Sequence, residues 1–256
     1  MRLRSYQNEA VDYAEASYIF GTQKIVIEAP TGSGKSLMIA ELCRRFKQEK
    51  VYVLVNVSKL IPQIADHLIA LDIDHTILKS GYSIPYDNSK RVELMMEQTY
   101  HARKDKTTLE PGIIIRDEHH IGVEGDRFSG FTAKCNPKLI TGFSATPYDQ
   151  FGVALKGYET ASFADIKSLT DQGYLMPADT YVSNASQRID LTTIGKSGDF
   201  SESELDGLLN NDEYNQDVVD IYKEVSGNHG ILSTDIREKF KSRSYHGKVG
   251  KDRLDI

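Results

Sequence analysis

The sequence predicts an α/β fold, a mostly parallel sheet flanked by helices. Three observations carry that expectation. Short apolar runs, Ile25-Val26-Ile27, Val51–Val57, Ile113-Ile114-Ile115 and Leu139–Phe143, have the composition of strands covered on both faces. The first two are separated and followed by stretches whose apolar residues recur at helical spacing, and such alternation marks strand–helix–strand units. Three segments rich in chemistry each follow one of these runs, where ligands bind in open parallel sheets.

Taken in order, Tyr6–Ile19 carries Ala10, Val11, Ala14 and Tyr18 on one helical face. Lys24–Glu28 reads as a short buried strand. Leu37–Phe46 reads as a helix with Leu37, Ile39, Ala40, Leu42, Cys43 and Phe46 turned inward. Val51–Val57 is the next strand, and Leu60–Leu71 the next helix, with Pro62 tolerated in its first turn. Ile113–Ile115, ended by acids, and Leu139–Phe143 supply two more strands. The pattern changes near Pro177. Beyond it Ala178–Val182 has strand composition, Ser183–Ser203 is polar and turn-rich, and Glu202–Tyr222 reads as an acidic helix.

The most specific segment is Ala29-Pro30-Thr31-Gly32-Ser33-Gly34-Lys35-Ser36, between the first strand and the second helix. That context is the one a phosphate-binding loop needs. Gly32 and Gly34 let successive backbone N–H groups turn toward one anion, and the helix N-terminus adds partial positive charge. Lys35 is placed to reach β- and γ-phosphates, and Ser36 to hold Mg²⁺. The strict pattern opens with Gly where this chain has Ala29. A glycine-rich loop that only links strand to helix leaves Lys35-Ser36 unexplained.

Asp117-Glu118-His119-His120 follows the third strand. An acid at that place, opposite a phosphate loop, is where Mg²⁺ is held in this class of NTPase. Asp117 is the expected metal ligand, Glu118 the general base on the attacking water, and His120 the link to Ser144 or Thr146. A zinc site on the two histidines needs further ligands, and the chain has neither HExxH nor CxxC. Ser144-Ala145-Thr146-Pro147 places two hydroxyls on a turn after the fourth strand, a weak signal alone that its position makes informative.

Bulk properties exclude several classes. The 256 residues suffice for one full domain plus part of another. No apolar run approaches the ~20 residues that span a bilayer, and the N-terminus lacks an apolar signal core. Cys43 and Cys135 lack metal-ligand spacing and read as reduced core thiols of a cytoplasmic protein. A net charge of −6 gives no global pull toward nucleic acid. Charge is uneven, however: Asp199–Asp220 holds eight acids and no Lys or Arg, whereas Ile236–Arg253 holds seven Lys or Arg against Glu238 and Asp252. Both runs read as solvated surface, with Arg243, Lys248 and Arg253 as the candidates for phosphate contact.

The set Arg4-Ser5-Tyr6-Gln7, APTGSGKS, DEHH and SATP, in that order, resembles the superfamily-two DNA/RNA helicases, in particular the DEAD/DEAH-like group with phage and repair helicases. The resemblance implies a RecA-like P-loop NTPase domain over residues 1–178. A linker and an incomplete second RecA-like lobe are implied over 179–256, with Gly198-Asp199-Phe200 in the linker and Tyr245–Lys248 opening that lobe. It implies ATP and Mg²⁺ as cofactors and nucleic acid as partner, DNA in preference to RNA. The ATP site would comprise Arg4, Gln7, Pro30, Thr31, Gly32, Ser33, Gly34, Lys35 and Ser36, with Gln7 reading adenine through its amide. Val53–Asn56 through Gln63, and Gln98-Thr99, resemble segments that face nucleic acid. Pro147–Gly152 resembles the stretch after the third motif, but Asp149 stands where Arg is common, and His119 replaces the usual small residue of the second motif, with little effect expected. The later motifs, with arginines that reach the γ-phosphate, find no match, so the chain is expected to bind Mg–ATP and turn it over slowly. A shortened nucleotide- or nucleic-acid-binding module and a translocase subunit of a restriction or remodelling system remain as alternatives.

Overall fold

The computed structural model describes residues 2–81, 85–103, 110–123, 126–148 and 153–177, together with 216, 220 and 221, leaving aside the side chains of 101–103 and 126. The chain divides into two compact units, 1–177 and 178–256. The second falls almost wholly outside the described residues, and with it the expected strand at 178–182, the acidic helix and the basic tail. The stretch 149–152 lies outside them too.

In chain order the first unit contains α1 (Ser5–Phe20), β1 (Lys24–Glu28), α2 (Lys35–Arg45), β2 (Val51–Val55), α3 (Leu60–Ala70), β3 (His75–Leu78), β4 (Val92–Met96), α4 (Glu97–Arg103), β5 (Ile113–Arg116), α5 (Asp126–Cys135), β6 (Leu139–Ser144), β7 (Glu159–Ser162) and α6 (Ile166–Asp171). The seven strands form one sheet in the order β3-β4-β2-β5-β6-β1-β7. Every pairing is parallel. Parallel neighbours need crossover connections, and helices supply most of them here.

Successive strand residues point to opposite faces, so each strand feeds two cores. Ile25, Ile27, Val51, Val53 and Val55 pack with Ala10, Val11 and Ala14 of α1, Ile39 and Leu42 of α2, and Ile61, Ile64 and Leu68 of α3. Val26, Tyr52, Leu54, Ile114 and Ile140 pack on the other face with Tyr100 of α4 and Phe128 and Phe131 of α5. That double cover is why β2, β4, β5 and β6 are buried throughout. Helix α1 ends where Gly21 takes the left-handed conformation (φ 80°) and donates to the Ser17 and Tyr18 carbonyls.

The structure corrects the sequence reading in several places. Strand β2 stops at Val55, two residues before the end of the apolar run. In α2 it is Met38 that is fully buried, while Leu37 is half-buried. Strand β5 runs one residue further than its apolar triplet, through Arg116, which is buried although charged. Strands β3, β4 and β7 and helices α4, α5 and α6 were not anticipated from periodicity. Edge strand β7 is mostly exposed, and β4 carries Glu93 as its second residue, fully buried and paired with Lys50 at 2.5 Å.

Candidate nucleotide-binding site

Strand order brings the three chemical segments together. Strand β6 lies between β5 and β1, so the turn after β6 sits between the acids that follow β5 and the loop that follows β1. The Ala29 N–H donates to the Ser144 carbonyl at 2.8 Å, joining the phosphate loop to the end of β6. On the other side the His119 N–H donates to the Phe143 carbonyl at 2.9 Å, and the Asp117 N–H to the Leu54 carbonyl at 3.0 Å.

Gly32 and Gly34 hold φ of 81° and 83°. Gly34 caps α2 with no side-chain acceptor; the Leu37 N–H turns back to the Gly34 carbonyl at 3.0 Å, and the N–H groups of Lys35 and Ser36 precede it at the helix start. The positive φ favours glycine at 34, and a Cβ there would lie 2.5 Å from Gln7 Nε2 and displace that amide. From below, the loop is held at one point. The Tyr6 hydroxyl and Gln7 Nε2 both donate to the Ser33 carbonyl at 2.8 Å. Gln7 Oε1 accepts from the Arg4 N–H at 2.9 Å. The amide expected to read a base therefore also buttresses the phosphate loop. Lys35 Nζ donates to the Ala29 carbonyl at 3.2 Å, and Ser36 is buried at the start of α2. Pro30 is buried, whereas Thr31 and Gly32 are exposed on the loop.

Asp117 is buried, and its Oδ1 has no hydrogen-bond partner among the described residues. Burial, then the neighbouring Glu118 charge, push its carboxyl above the ordinary range, while Lys35 pulls it back. A desolvated carboxylate oxygen with no donor, beside a second acid, suits a hard divalent cation. Glu118 adopts φ 48°, the left-handed region that non-glycine residues seldom enter. The turn is locked by its own bonds: the Ile121 N–H donates to the Glu118 carbonyl at 3.0 Å. Arg116 Nη1 and Nη2 donate to the His119 and Ile121 carbonyls at 2.8 and 2.6 Å. The same guanidinium makes a two-point pair with Glu97 and lies 4.4 Å from the Phe128 ring centroid. Sequence reasoning passed over Arg116 and Glu97. The available signal was a lone cation between an apolar strand and an acid pair.

His120 Nδ1 is 2.7 Å from Ser144 Oγ and 3.7 Å from Glu118 Oε2. Ser144 Oγ also accepts from the Thr146 N–H at 3.0 Å. Ser144 is fully buried and Thr146 exposed, so the two hydroxyls differ in access. His119, expected to matter little, is fully buried instead. Its ring stands edge-on to Phe128 and Tyr158 at 5.6 and 4.6 Å, with neither ring nitrogen hydrogen-bonded to a described residue. Burial above all, helped by Arg116, His120 and Lys24, pushes its pKa down to about 3. The described residues hold no cluster of three or more His, Cys, Asp or Glu suited to a metal, so the zinc alternative gains no ligands there.

Gln63 is exposed in the first turn of α3, after β2; Gln98 is exposed and Thr99 half-buried in the first turn of α4, after β4. Strands β2 and β4 are neighbours, which sets these two helix starts side by side on the carboxyl edge, away from β1 and β6. Cys43 is buried and Cys135 half-buried, both are free thiols, and burial pushes both up to about 12. No helix among the described residues is long and apolar enough to cross a membrane.

The family profile of the type III restriction enzyme res subunit, ResIII, matches residues 1–149, more than half of the chain. The chain belongs to this family. It is a superfamily-two helicase-type domain, and its fold is RecA-like. The ResIII chain is 24% identical over 252 residues to "Putative ATP-dependent helicase IRC3" of Saccharomyces cerevisiae, covering 91% of itself and 36% of that protein. It is 27% identical over 218 residues to a "51.5 kDa protein" of a Lactococcus phage, covering 81% of itself and 43% of the relative. It thus spans less than half the length of these two relatives. Among solved structures, the UvsW helicase from bacteriophage T4 superposes with a TM-score of 0.50 at 21% identity, over 63% of this chain and 60% of that one. A nuclease-deletion mutant of the type ISP restriction-modification enzyme LlaGI, in complex with a DNA substrate mimic, gives a TM-score of 0.52 at 16% identity, over 88% and 24%. At these identities the superpositions establish the fold.

Proposed function

We propose that this chain is the ATP-binding lobe of a translocase that couples Mg–ATP hydrolysis to movement along nucleic acid, DNA in preference to RNA. The observation that carries the reading is the buried, unpartnered Asp117 oxygen in the field of Lys35, with His120 bonded to Ser144 on the strand between them. In this reading Lys35 and the first N–H groups of α2 bind the β- and γ-phosphates. Ser36 and Asp117 hold Mg²⁺, which when bound spreads the charge that develops on those phosphates. Glu118 takes the proton from the attacking water. His120 and Ser144 report the state of that site to the turn carrying Thr146. Arg4 and Gln7 face the base, and Gln63, Gln98 and Thr99 contact the sugar–phosphate backbone, which favours slight sequence preference.

Hydrolysis of ATP by the full chain, with and without single-stranded DNA, duplex DNA and RNA, tests this. Slow turnover, raised by one polymer and abolished in Lys35→Ala, is expected, with Glu118→Gln still binding ATP but not hydrolysing it. A chain that binds no Mg–ATP refutes the reading, and wild-type turnover in Glu118→Gln removes the base assignment. Binding without turnover in any arm favours the narrower role of a nucleotide-binding module. The family match to a restriction subunit favours translocation without strand separation. Triplex displacement without duplex unwinding is the result that would support it.

A further inference from the structure

We infer that Tyr174 is a positioning residue for the base of the nucleotide, holding the Arg4 guanidinium flat as a platform on which adenine stacks beside Gln7. The inference rests on the nucleotide reading above and goes beyond it, since none of the motifs contains Tyr174.

The Arg4 guanidinium carbon lies 4.1 Å from the centroid of the Tyr174 ring. A guanidinium is planar and weakly hydrated, so it stacks on aromatic faces, and a second planar group can lie on its other face. The Tyr174 ring in turn leans on Tyr6, with centroids 6.0 Å apart, and Arg4 Nη1 donates to the Tyr6 hydroxyl at 3.3 Å. That hydroxyl donates to the Ser33 carbonyl of the phosphate loop. Tyr174, Arg4, Tyr6 and the loop therefore form one connected set, next to Gln7, which bonds to the same carbonyl.

Tyr174 is fixed in place although partly exposed. Gly173 turns the chain at φ 71°, and the N–H groups of Tyr174 and Leu175 both donate to the Leu169 carbonyl in α6, at 2.8 and 3.1 Å. Leu169 is fully buried. Leu175 anchors the segment to the loop itself: a Cβ on Gly32 would sit 2.8 Å from its Cδ2. Gln7 itself is almost wholly buried, and its two bonds leave part of its amide uncommitted. A primary amide offers two donors and two lone pairs. The bonds to Ser33 and Arg4 use one of each, leaving one N–H and one lone pair, the pattern that matches N7 and the N6 amino group of adenine. Guanine presents two acceptors there and fits worse.

The test is calorimetric titration of the full chain with Mg–ATP and, separately, with inorganic tripolyphosphate, which engages the phosphate loop but has no base. Loss of the aromatic face in Tyr174→Ala should weaken ATP by about threefold to tenfold, the range of a partly exposed cation–π contact, and leave tripolyphosphate unchanged. Tyr174→Phe, which keeps the ring, should retain parental ATP affinity. Arg4→Ala should match Tyr174→Ala, and the double substitution should cost no more than the larger single one, because both remove one platform. Equal weakening of ATP and tripolyphosphate would overturn the inference, since Tyr174 would then only brace the loop. Unchanged ATP affinity in Tyr174→Ala would overturn it as well. A parent chain that binds neither ligand overturns the nucleotide reading itself, and this inference with it.

Discussion

Gly142→Ala probes the packing that seats the acidic turn against the sheet. Gly142 is in the body of β6, in register with Val26 of β1 on one side and Arg116 of β5 on the other. A Cβ built there falls 2.6 Å from His119 Cδ2 and 2.7 Å from His119 Cβ. Neither partner has room to yield. The strand is hydrogen-bonded on both sides, and His119 is tied to it by the bond from its N–H to the Phe143 carbonyl. Overpacking of this kind costs about 1–3 kcal/mol. For a unit of this size each kcal/mol lowers Tm by about 2–4 °C, giving a fall of about 2–12 °C. Turnover should fall with it, because the displaced turn carries Asp117, Glu118 and His120. The assay is denaturant unfolding at neutral pH of the parent, Gly142→Ala, His119→Ala and the double variant. His119→Ala removes the ring that the added methyl would meet but keeps the Cβ 2.7 Å away, so it relieves the clash in part. The double variant should therefore be more stable than the sum of the singles by about 1–3 kcal/mol, a coupling typical of residues in contact. Additivity within about 0.5 kcal/mol would refute the packing argument.

Two further outcomes follow from the same turn. Glu97→Ala strips the buried Arg116 guanidinium of its carboxylate and should cost about 3–5 kcal/mol; a loss below about 1 kcal/mol in denaturant unfolding would place that pair among surface ion pairs instead. His119 gives a pH dependence whose sign is fixed. Its folded pKa is depressed to about 3, below an unfolded value of about 6.5, so its contribution is full above about pH 6.5 and lost as pH falls toward 3. Between pH 7 and pH 5 the loss is about 2 kcal/mol. Asp117, with a raised carboxyl pKa, contributes with the opposite sign, so the measurement is the difference between the parent and His119→Leu across that range. Equal pH profiles for the two chains would show that His119 is not held neutral by the fold.

Local regularities made the frame of the first unit legible. Strands β1, β2, β5 and β6 carry apolar runs that fit strands covered on both faces, and α1, α2 and α3 carry apolar residues at helical spacing. What escaped notice lacked such a signature. Strand β3 is four residues long, β7 is polar because it lies at the edge, and β4 breaks its apolar run with Glu93. That acid is tolerated in the core only because Lys50 and the Tyr86 hydroxyl meet it there, partners that adjacent sequence does not announce. Arg116 is the same case. Its neighbours in sequence mark a strand end, and only the fold supplies Glu97 and the carbonyls of His119 and Ile121.

The sequence alone determined the phosphate loop, the acids after β5 and the hydroxyls after β6, because each depends on a short spacing of residue types set by backbone geometry. Tertiary structure alone decided which strands are neighbours, and so that the hydroxyl turn stands between the loop and the acids. It also decided that His119 is a core residue pressed on Gly142, and that Tyr174 reaches back to Arg4. These are contacts between residues far apart in the chain. Their energy comes from burial and complementary shape once the sheet has formed, which no local pattern encodes.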